Sequence, residues 1–427
     1  MQKQVLTEIL HAEVSFAERP FAHPLTISSG QIVGLTEAEA HVVVRVNGVE
    51  AEGRGNIFLS DLWAWPDPSL SHAARDQALR AVCVHIAENL KRLCGKGPAH
   101  PLALGLRLHD AVCASSDDFG VPSLLARAMA LSPFDAAIHD ATGLALRRSA
   151  FALYPEGQPI PEADRRLGGS ATAAIRALLR DPPLASLPAW WLVGRDDDLN
   201  TVVQEAVKRR GYGCFKLKLM GRESAVDVAR TVEVFRALKV AGVPTIRLSV
   251  DTNEANPDAA SVLDYLEQLR TADPDAFTAL EYLEQPTARD FCACPQDWRA
   301  VTRLKPVLLD EGLTGLELLA EAKQQGWSGL ALKTCKGHSS ALVAAAWANR
   351  HGMCLSMQDL TNPGIGLMHA ALFAAHVPTI NGVELNSPQF APAANAGLAE
   401  RWPQLYQPVD GRHRLPSTVP DGLGSRL

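Results

Sequence analysis

The spacing between apolar residues changes within the first third of the chain. Up to residue 55 they alternate with polar ones, which is typical of half-buried β-strands, and the second alternating run contains the turn-forming pair Asn47 and Gly48. From residue 72 apolar residues recur at three- and four-residue steps, as on one face of a helix, and Gly95 fits a helix C-cap. The predicted elements are strands over 3–18 and 37–55, loops over 24–34 and 56–66, and helices over 72–94 and 121–147. Residues 1–150 are therefore predicted to form an α+β domain.

Beyond residue 187 short apolar runs alternate with helical stretches. The predicted strands lie near 189–193, 214–219, 245–250, 279–284, 306–309, 329–333, 353–357 and 382–385. Helices are predicted between them, for example over 199–210, 222–240, 258–270, 314–325 and 338–351. Strands interleaved with helices favour a closed parallel (β/α) barrel over residues 188–388. A doubly wound open sheet would instead carry a glycine-rich phosphate turn after its first strand, where this chain has Gly194, Arg195 and three aspartates.

Two segments lie outside this pattern. Residues 151–187 are rich in proline, glycine and alanine, and they are predicted to form a linker or an elaborated loop. The proline-rich segment 389–427 is predicted to pack back on the first domain.

Composition excludes several classes of function. Of the 427 residues 47% are hydrophobic, enough for a sizeable core, and a formal net charge of -6 provides no basic surface for nucleic acid. The sequence has no apolar stretch long enough to span a bilayer and no signal-peptide core at its amino terminus. The eight cysteines include no Cys-x-x-Cys pair, so reduced thiols and a cytoplasmic location are expected. The expected partners are small molecules.

Charged residues close successive predicted strands of the barrel. They are Lys216, Lys218, Asp251, Glu284, Asp310 and Lys333. Successive strand ends are separated by about 30 residues, the length of one strand-plus-helix unit. In a closed parallel barrel the carboxyl ends of the strands meet at one face, where catalytic groups are found. We therefore expect these side chains to converge.

Carboxylate oxygens without thiol or imidazole partners suit Mg²⁺. Two lysines crowded on one inward strand face would disfavour each other's protonation, which would lower at least one pKa and provide a general base. Residues beside the acids, namely Asn253, Gln285 and Glu311, are candidates to orient them. Taken singly, the lysines would fit a solvent-facing edge strand and each acid a turn or cap. Lys336 is expected to be a solvent-exposed loop lysine.

A set of short motifs occurs in a characteristic order along the chain. They are Lys-Leu-Lys at 216–218, Asp-Thr-Asn at 251–253, Glu-Gln-Pro at 284–286, Asp-Glu at 310–311 and Ala-Leu-Lys at 331–333. The ordered set resembles the enolase superfamily, and within it the muconate-lactonizing-enzyme subgroup. Residues 19–25, Arg-Pro-Phe-Ala-His-Pro-Leu, are similar to that family's capping domain. The fold that this resemblance implies is a modified (β/α)7β TIM-type barrel with an N-terminal α+β capping domain.

The resemblance also implies a chemistry. Mg²⁺ would be bound by Asp251, Glu284 and Asp310. Lys218 and Lys333 would be acid/base groups on opposite faces of the substrate, with Lys216 tuning Lys218 and contacting the substrate carboxylate. The implied reaction is abstraction of the α-proton of a carboxylate to give a metal-stabilised enediolate, followed by racemisation, epimerisation or cycloisomerisation. A homo-oligomer is also expected.

The chain departs from the family pattern at the last strands. It has Gly-His-Ser at 337–339, Gln358 and Asp359 after the seventh strand, and Glu384 and Asn386 after the eighth. These positions line the pocket in relatives, so the substrate does not follow from the resemblance. Three alternatives stay open: syn β-elimination at the same site, a Schiff-base lysine lyase or aldolase, and a catalytically silent barrel.

Overall fold

Three antiparallel strands open the chain: β1 (Thr7–Ile27), β2 (Gly30–Val46) and β3 (Val49–Phe58). The computed structural model describes residues 4–115 and 119–426. The turn between β2 and β3 is made by Asn47 and Gly48 with φ of 52° and 84°, as the sequence predicts. The expected first residue of β1, Lys3, lies outside the described residues.

The predicted loop over 24–34 is wrong. Both strands continue through it as a hairpin, in which Leu25 pairs with Ile32 and Ile27 with Gly30. Apolar side chains on one face of this hairpin turn inward, and that burial outweighs the local preference of its polar and glycine residues for a loop. The predicted loop over 56–66 is also partly wrong, because it contains the end of β3 and a helical turn.

Four helices complete the N-terminal domain. They are α1 (Asp61–Ala64), α2 (His72–Leu93), α3 (Pro101–Cys113) and α4 (Leu124–Leu146). Helix α3 was not predicted, although Pro101 at its first turn is a start signal. Helix α4 packs so closely on β3 that a Cβ on Gly53 would lie 2.2 Å from the nitrogen of Ala141. No helix in residues 4–115 and 119–426 is long and apolar enough to cross a membrane.

The second half forms a parallel sheet that curls into a barrel. Its strands are β5 (Trp190–Val193), β6 (Cys214–Lys218), β7 (Arg247–Asp251), β8 (Leu280–Glu284), β9 (Val307–Leu309), β10 (Gly329–Lys333) and β11 (Cys354–Gln358), paired in that order. Residues 383–384 close the ring, because Val383 bridges to Ala189 before β5 and Glu384 bridges to Gln358 of β11. The predicted α/β barrel with an N-terminal α+β domain is confirmed.

Helices follow the barrel strands on the outside. They are α7 (Leu199–Val202), continued by the π-helical Val203–Lys208, then α8 (Ser224–Val240), α9 (Ala259–Ala272), α10 (Pro274–Ala279), α11 (Arg299–Thr302), α12 (Leu319–Gln324), α13 (His338–Arg350) and α14 (Gly364–His376). The strand-then-helix alternation matches the pattern read from the sequence.

The segment between the two halves is not a plain linker. It contains α5 (Pro161–Leu167), α6 (Ala171–Leu178) and β4 (Ser186–Pro188). The C-terminal segment contains α15 (Ser387–Phe390), α16 (Ala396–Arg401), α17 (Pro403–Tyr406) and β12 (Arg412–Arg414), and β12 pairs with β4. Residues 422–426 lie on the N-terminal domain, where the nitrogen of Ala150 donates to the carbonyl of Gly422 at 2.8 Å.

A buried polar cluster joins α4 to α13 of the barrel. Asp135 accepts hydrogen bonds from the backbone nitrogen and the hydroxyl of Ser339, each at 2.7 Å, and His139 lies 2.9 Å from that hydroxyl. The neighbouring His338 packs against the His139 ring at 4.5 Å, and neither of its ring nitrogens has a hydrogen-bond partner. The interface between the two domains therefore buries neutral imidazoles.

Asp140 connects α4, β3 and the C-terminal segment. Its carboxylate accepts hydrogen bonds from the nitrogens of Arg54 at 3.0 Å and Leu423 at 2.7 Å, and from the hydroxyl of Ser425. We expect Asp140→Ala to lower the free energy of unfolding by about 2 kcal/mol, because buried donors lose their acceptor. Chemical denaturation measures this, with exposed Asp421→Asn as the control. Equal stabilities for the two variants would contradict this role.

Acid should destabilise the interface between the domains. Burial lowers the pKa of His338 to about 3, so between that pH and 6.5 the unfolded chain binds a proton that the folded chain does not. Stability then falls as pH falls, by about 1.4 kcal/mol per pH unit for this residue. The variant His338→Phe should remove that part of the slope in denaturation curves between pH 6 and 4. His11→Phe, which replaces an exposed imidazole, is the control, and an unchanged slope in His338→Phe would refute the assignment.

Candidate active site at the carboxyl end of the barrel

The predicted acids and lysines meet inside the mouth of the barrel. In the parallel register Lys218, Asp251 and Glu284 are direct neighbours across β6, β7 and β8. Asp310 follows β9 and Lys333 ends β10. Side chains alternate along a strand, so Lys216 points to the same face as Lys218, one layer deeper. All of them are buried or nearly so.

Lys216 is the deepest of the lysines and contacts three carboxylates. Its ammonium group donates to both oxygens of Glu284, at 2.9 and 2.8 Å. It also lies 3.1 Å from Asp251 and 3.2 Å from Glu384. Lys218, nearer the mouth, donates to Asp251 at 2.6 Å and to the side-chain oxygen of Asn253 at 3.0 Å.

A second pair of lysines surrounds Asp310. Lys333 donates to one carboxylate oxygen of Asp310, and Lys336 donates to the other at 3.0 Å. The expectation that Lys336 is solvent-exposed is wrong, because the helical turn after β10 folds back and buries it over the acid. The ring of Trp63, from the N-terminal domain, lies 5.0 Å from the Lys333 ammonium, within the range of a cation–π contact.

The pKa of Lys216, one of the two lysines crowded on β6, is raised and not lowered. Burial would lower the pKa of Lys216, but Glu284, Glu384 and Asp251 outweigh it and raise that pKa well above its ordinary value. The pKa of Lys333 is raised in the same way, with Asp310 and Glu284 opposing burial. The prediction considered repulsion between the lysines and left out the closer carboxylates.

The carboxyl groups respond to the same charges. Burial would raise the pKa of Asp251, but Lys218 and Lys216 lower it to about 2. The pKa of Glu311 is raised to about 8 by burial and by the nearby charge of Asp310. Its side chain accepts hydrogen bonds from the indole of Trp63 at 2.9 Å and from the amide of Asn253 at 3.3 Å.

Residues beside the acids orient them. Gln285, at φ 32°, accepts hydrogen bonds from the backbone nitrogens of Asp310 at 2.8 Å and Gly312 at 3.1 Å. Asn253, at φ 45°, donates its backbone nitrogen to Asp251 at 2.7 Å. Left-handed backbone at non-glycine residues is strained, and such strain concentrates at functional sites.

The N-terminal domain covers this mouth and is fastened to it. Arg289 pairs with Glu254 and donates to the carbonyls of Trp63 at 3.2 Å and Ala64 at 3.4 Å. On the other side, the hydroxyl of Ser28 donates to the carbonyl of Asn253 at 2.9 Å. The covered space is a pocket lined by both domains.

The pocket also includes residues whose roles the sequence left open. Gln358, Glu384 and Asn386, at the last strand ends, line it together with Trp63. The family resemblance already placed the first three at the pocket, and they follow β11 and the closing segment. The position of Trp63 in the pocket depends on how the domains dock.

Comparison with known families agrees with this geometry. A family model described as enolase C-terminal domain-like matches residues 198–427, which include all the acids and lysines described above. The chain belongs to this family. The predicted membership of the enolase superfamily is confirmed. No curated protein matches the sequence.

Solved enolase-superfamily structures share the fold along almost the whole chain. A muconate lactonizing enzyme from Pseudomonas fluorescens, complexed with muconolactone, is 21% identical with a TM-score of 0.62, covering 98% of this chain and 96% of its own. A dipeptide epimerase from Enterococcus faecalis, complexed with Mg and L-Leu-L-Tyr, is 18% identical with a TM-score of 0.63, covering 98% and 99%. An enolase from Bradyrhizobium, complexed with magnesium and mandelic acid, is 19% identical with a TM-score of 0.64, covering 99% and 96%. At these identities the likeness shows the fold.

The acids of this enolase-superfamily mouth suit a divalent cation. In residues 4–115 and 119–426 no three acids, imidazoles or thiols form a ready metal cluster, because lysine ammonium groups lie between the carboxylates. The described residues of the mouth include six carboxyl groups and four lysines. The acids are Asp251, Glu284, Asp310, Glu311, Asp359 and Glu384, and the lysines are Lys216, Lys218, Lys333 and Lys336. Burial raises the pKa of Glu311 and of Asp359 to about 8, so these two groups add no negative charge near neutral pH. Oxygen ligands without thiol or imidazole partners fit Mg²⁺, with Asp251, Glu284 and Asp310 as the candidates to hold it.

Removing one of these carboxylates should weaken cation binding. We expect Asp251→Asn to bind Mg²⁺ at least about 10-fold more weakly than the unaltered protein, because the amide carries no charge. Titration calorimetry measures this, and Asp275→Asn, at an exposed helix position, is the matched control. Identical titrations of Asp251→Asn and the unaltered protein would remove Asp251 from the proposed ligands.

Proposed function

We propose that the protein is a Mg²⁺-dependent enzyme that removes the α-proton of a carboxylate substrate and completes a racemisation, an epimerisation or a cycloisomerisation. The observation that supports this most is the placement of Lys218 and Lys333. Counted from β5, Lys218 ends the second strand of the ring and Lys333 ends the sixth. Residues 383–384 close the ring in the place of an eighth strand, so the two lysines face each other across the mouth. Between them lie the ends of the strands that carry the acids.

The deeper part of the barrel mouth, where Lys216 lies, would bind the substrate carboxylate. Lys216 lies below Lys218 and is surrounded by carboxylates, so its ammonium group stays charged and can face the negative end of a substrate. Removing an α-proton places a second negative charge on that end, and fixed positive groups nearby stabilise it as it develops. A divalent cation held by Asp251, Glu284 and Asp310 would neutralise these acids, loosen their hold on the lysines and offset the same substrate charge.

Lys218 and Lys333 would then exchange protons with the α-carbon. One of them, as a neutral amine, accepts the proton from its own side, and the other, as an ammonium group, donates from the opposite side. Transfer from both sides inverts the α-carbon, which is racemisation or epimerisation. A single transfer suffices for cycloisomerisation. The covering domain limits water access, since the side chain of Lys218 is only 12% exposed.

A Schiff-base mechanism would use the same lysines, Lys218 or Lys333, as nucleophiles towards a carbonyl carbon. Activity that survives removal of divalent cations by EDTA, with trapping of the protein by borohydride, would favour it over the proposed function. Syn β-elimination would use the same groups, and a product that lacks the β-substituent of the substrate would reveal it.

Each lysine should control exchange from one side of the substrate. In D₂O with Mg²⁺ and a panel of α-substituted carboxylates, Lys218→Ala and Lys333→Ala should each lose α-hydrogen exchange of one enantiomer by about 100-fold or more. Proton NMR follows the exchange, circular dichroism checks the fold, and Lys239→Ala, at an exposed lysine, is the control. If both variants exchange both enantiomers at the full rate, the two-base assignment is wrong.

A further inference from the structure

The pocket at the barrel mouth has two chemically different halves. Its floor carries charged and amide side chains of the barrel, and its opposite half is apolar. The apolar half is formed by the β1–β2 hairpin, with Leu192 and Leu360 from the barrel. The hairpin side chains are Phe21, Leu25, Ile27, Ile32 and Leu35. The polar and apolar groups of a substrate must therefore be at opposite ends.

The apolar half is a built feature of the fold. Leu25, Ile32, Leu35 and Leu192 belong to a hydrophobic cluster that is separate from the main core. Phe390, in the C-terminal segment, packs behind them at 6.2 Å from the ring of Phe21. Because three parts of the chain meet to form this wall, its position is fixed by packing.

The apolar half offers no cation to a second anionic group. Among the described residues that line the pocket, the cations are Lys216, Lys218 and Lys333, all on the floor. Arg19, on β1, is already paired with Glu37 at 2.7 Å. An ionised carboxylate buried without a partner is strongly disfavoured.

We propose that the substrate is a monocarboxylate whose far end is apolar, so that the carboxylate lies on the floor and the hydrocarbon end lies under the β1–β2 hairpin. This inference rests on the proposed function for the placement of the carboxylate. It separates this chain from enzymes whose substrates carry carboxylates at both ends.

Two acids that differ at one end test the proposal. The probes are 2-hydroxy acids, because their α-hydrogen lies beside the carboxylate and its exchange can be followed. With the intact protein and excess Mg²⁺, titration calorimetry should show 2-hydroxyheptanoate binding at least about 10-fold more tightly than 2-hydroxyheptanedioate. Equal affinity, tighter binding of the diacid or binding of neither overturns the inference. Exchange of the α-hydrogen in D₂O is read separately, so preferential binding of the monoacid without exchange would refute the proposed function alone.

Adding a cation to the apolar half should reverse the preference. Ile27 lines the pocket and is half-buried, so Ile27→Arg should strengthen binding of the diacid relative to the monoacid by about 10-fold. Thr26→Arg, at the exposed neighbour, is the matched control and should leave the ratio unchanged. If Ile27→Arg misfolds, a second pair of variants repeats the comparison. Ile32→Arg changes a pocket residue, and Val33→Arg changes its neighbour, which is 62% exposed. An unchanged ratio in folded Ile27→Arg and Ile32→Arg contradicts the proposal.

Discussion

The balance of buried charge at the barrel mouth is the constraint on which the site depends. Carboxylates at the ends of adjacent strands cannot remain buried and ionised unless cations lie among them. Lys216 and Lys333 meet this requirement, and the same contacts hold both lysines in their charged form. A group that took over neutralisation of the acids would therefore change the protonation of the lysines. This coupling between acids and bases explains why the proposed chemistry needs both sets of residues.

The covering domain adds contacts that the barrel cannot supply alone. Trp63 reaches the mouth from α1, donating to Glu311 while its ring faces Lys333. Arg289 holds the backbone of the same helical turn, so the indole is fixed from behind. The hairpin supplies the apolar half of the pocket on the opposite side. Docking of the two domains therefore sets both the electrostatics of the site and the shape available to a substrate.

The sequence predicts the parts of the structure that follow from local pattern and regular geometry. Strand ends converge in any closed parallel barrel, so the placement of Asp251, Glu284 and Lys333 at one mouth could be expected before the fold was known. Features set by tertiary contact were missed. Lys336 is buried because a helical turn folds back on Asp310, and the hairpin over residues 24–34 is ordered because its apolar face covers the barrel. The raised pKa of Lys216 was missed for the same reason, since it depends on acids from other strands.

We propose that the acids of the mouth hold a divalent cation which displaces lysine from them. Anomalous diffraction from crystals soaked with Mn²⁺ would locate such a cation. We expect a single strong peak among Asp251, Glu284 and Asp310, with the ammonium groups of Lys216 and Lys333 moved away from those oxygens. Intact lysine–carboxylate pairs and no peak at the mouth would refute the proposed metal site.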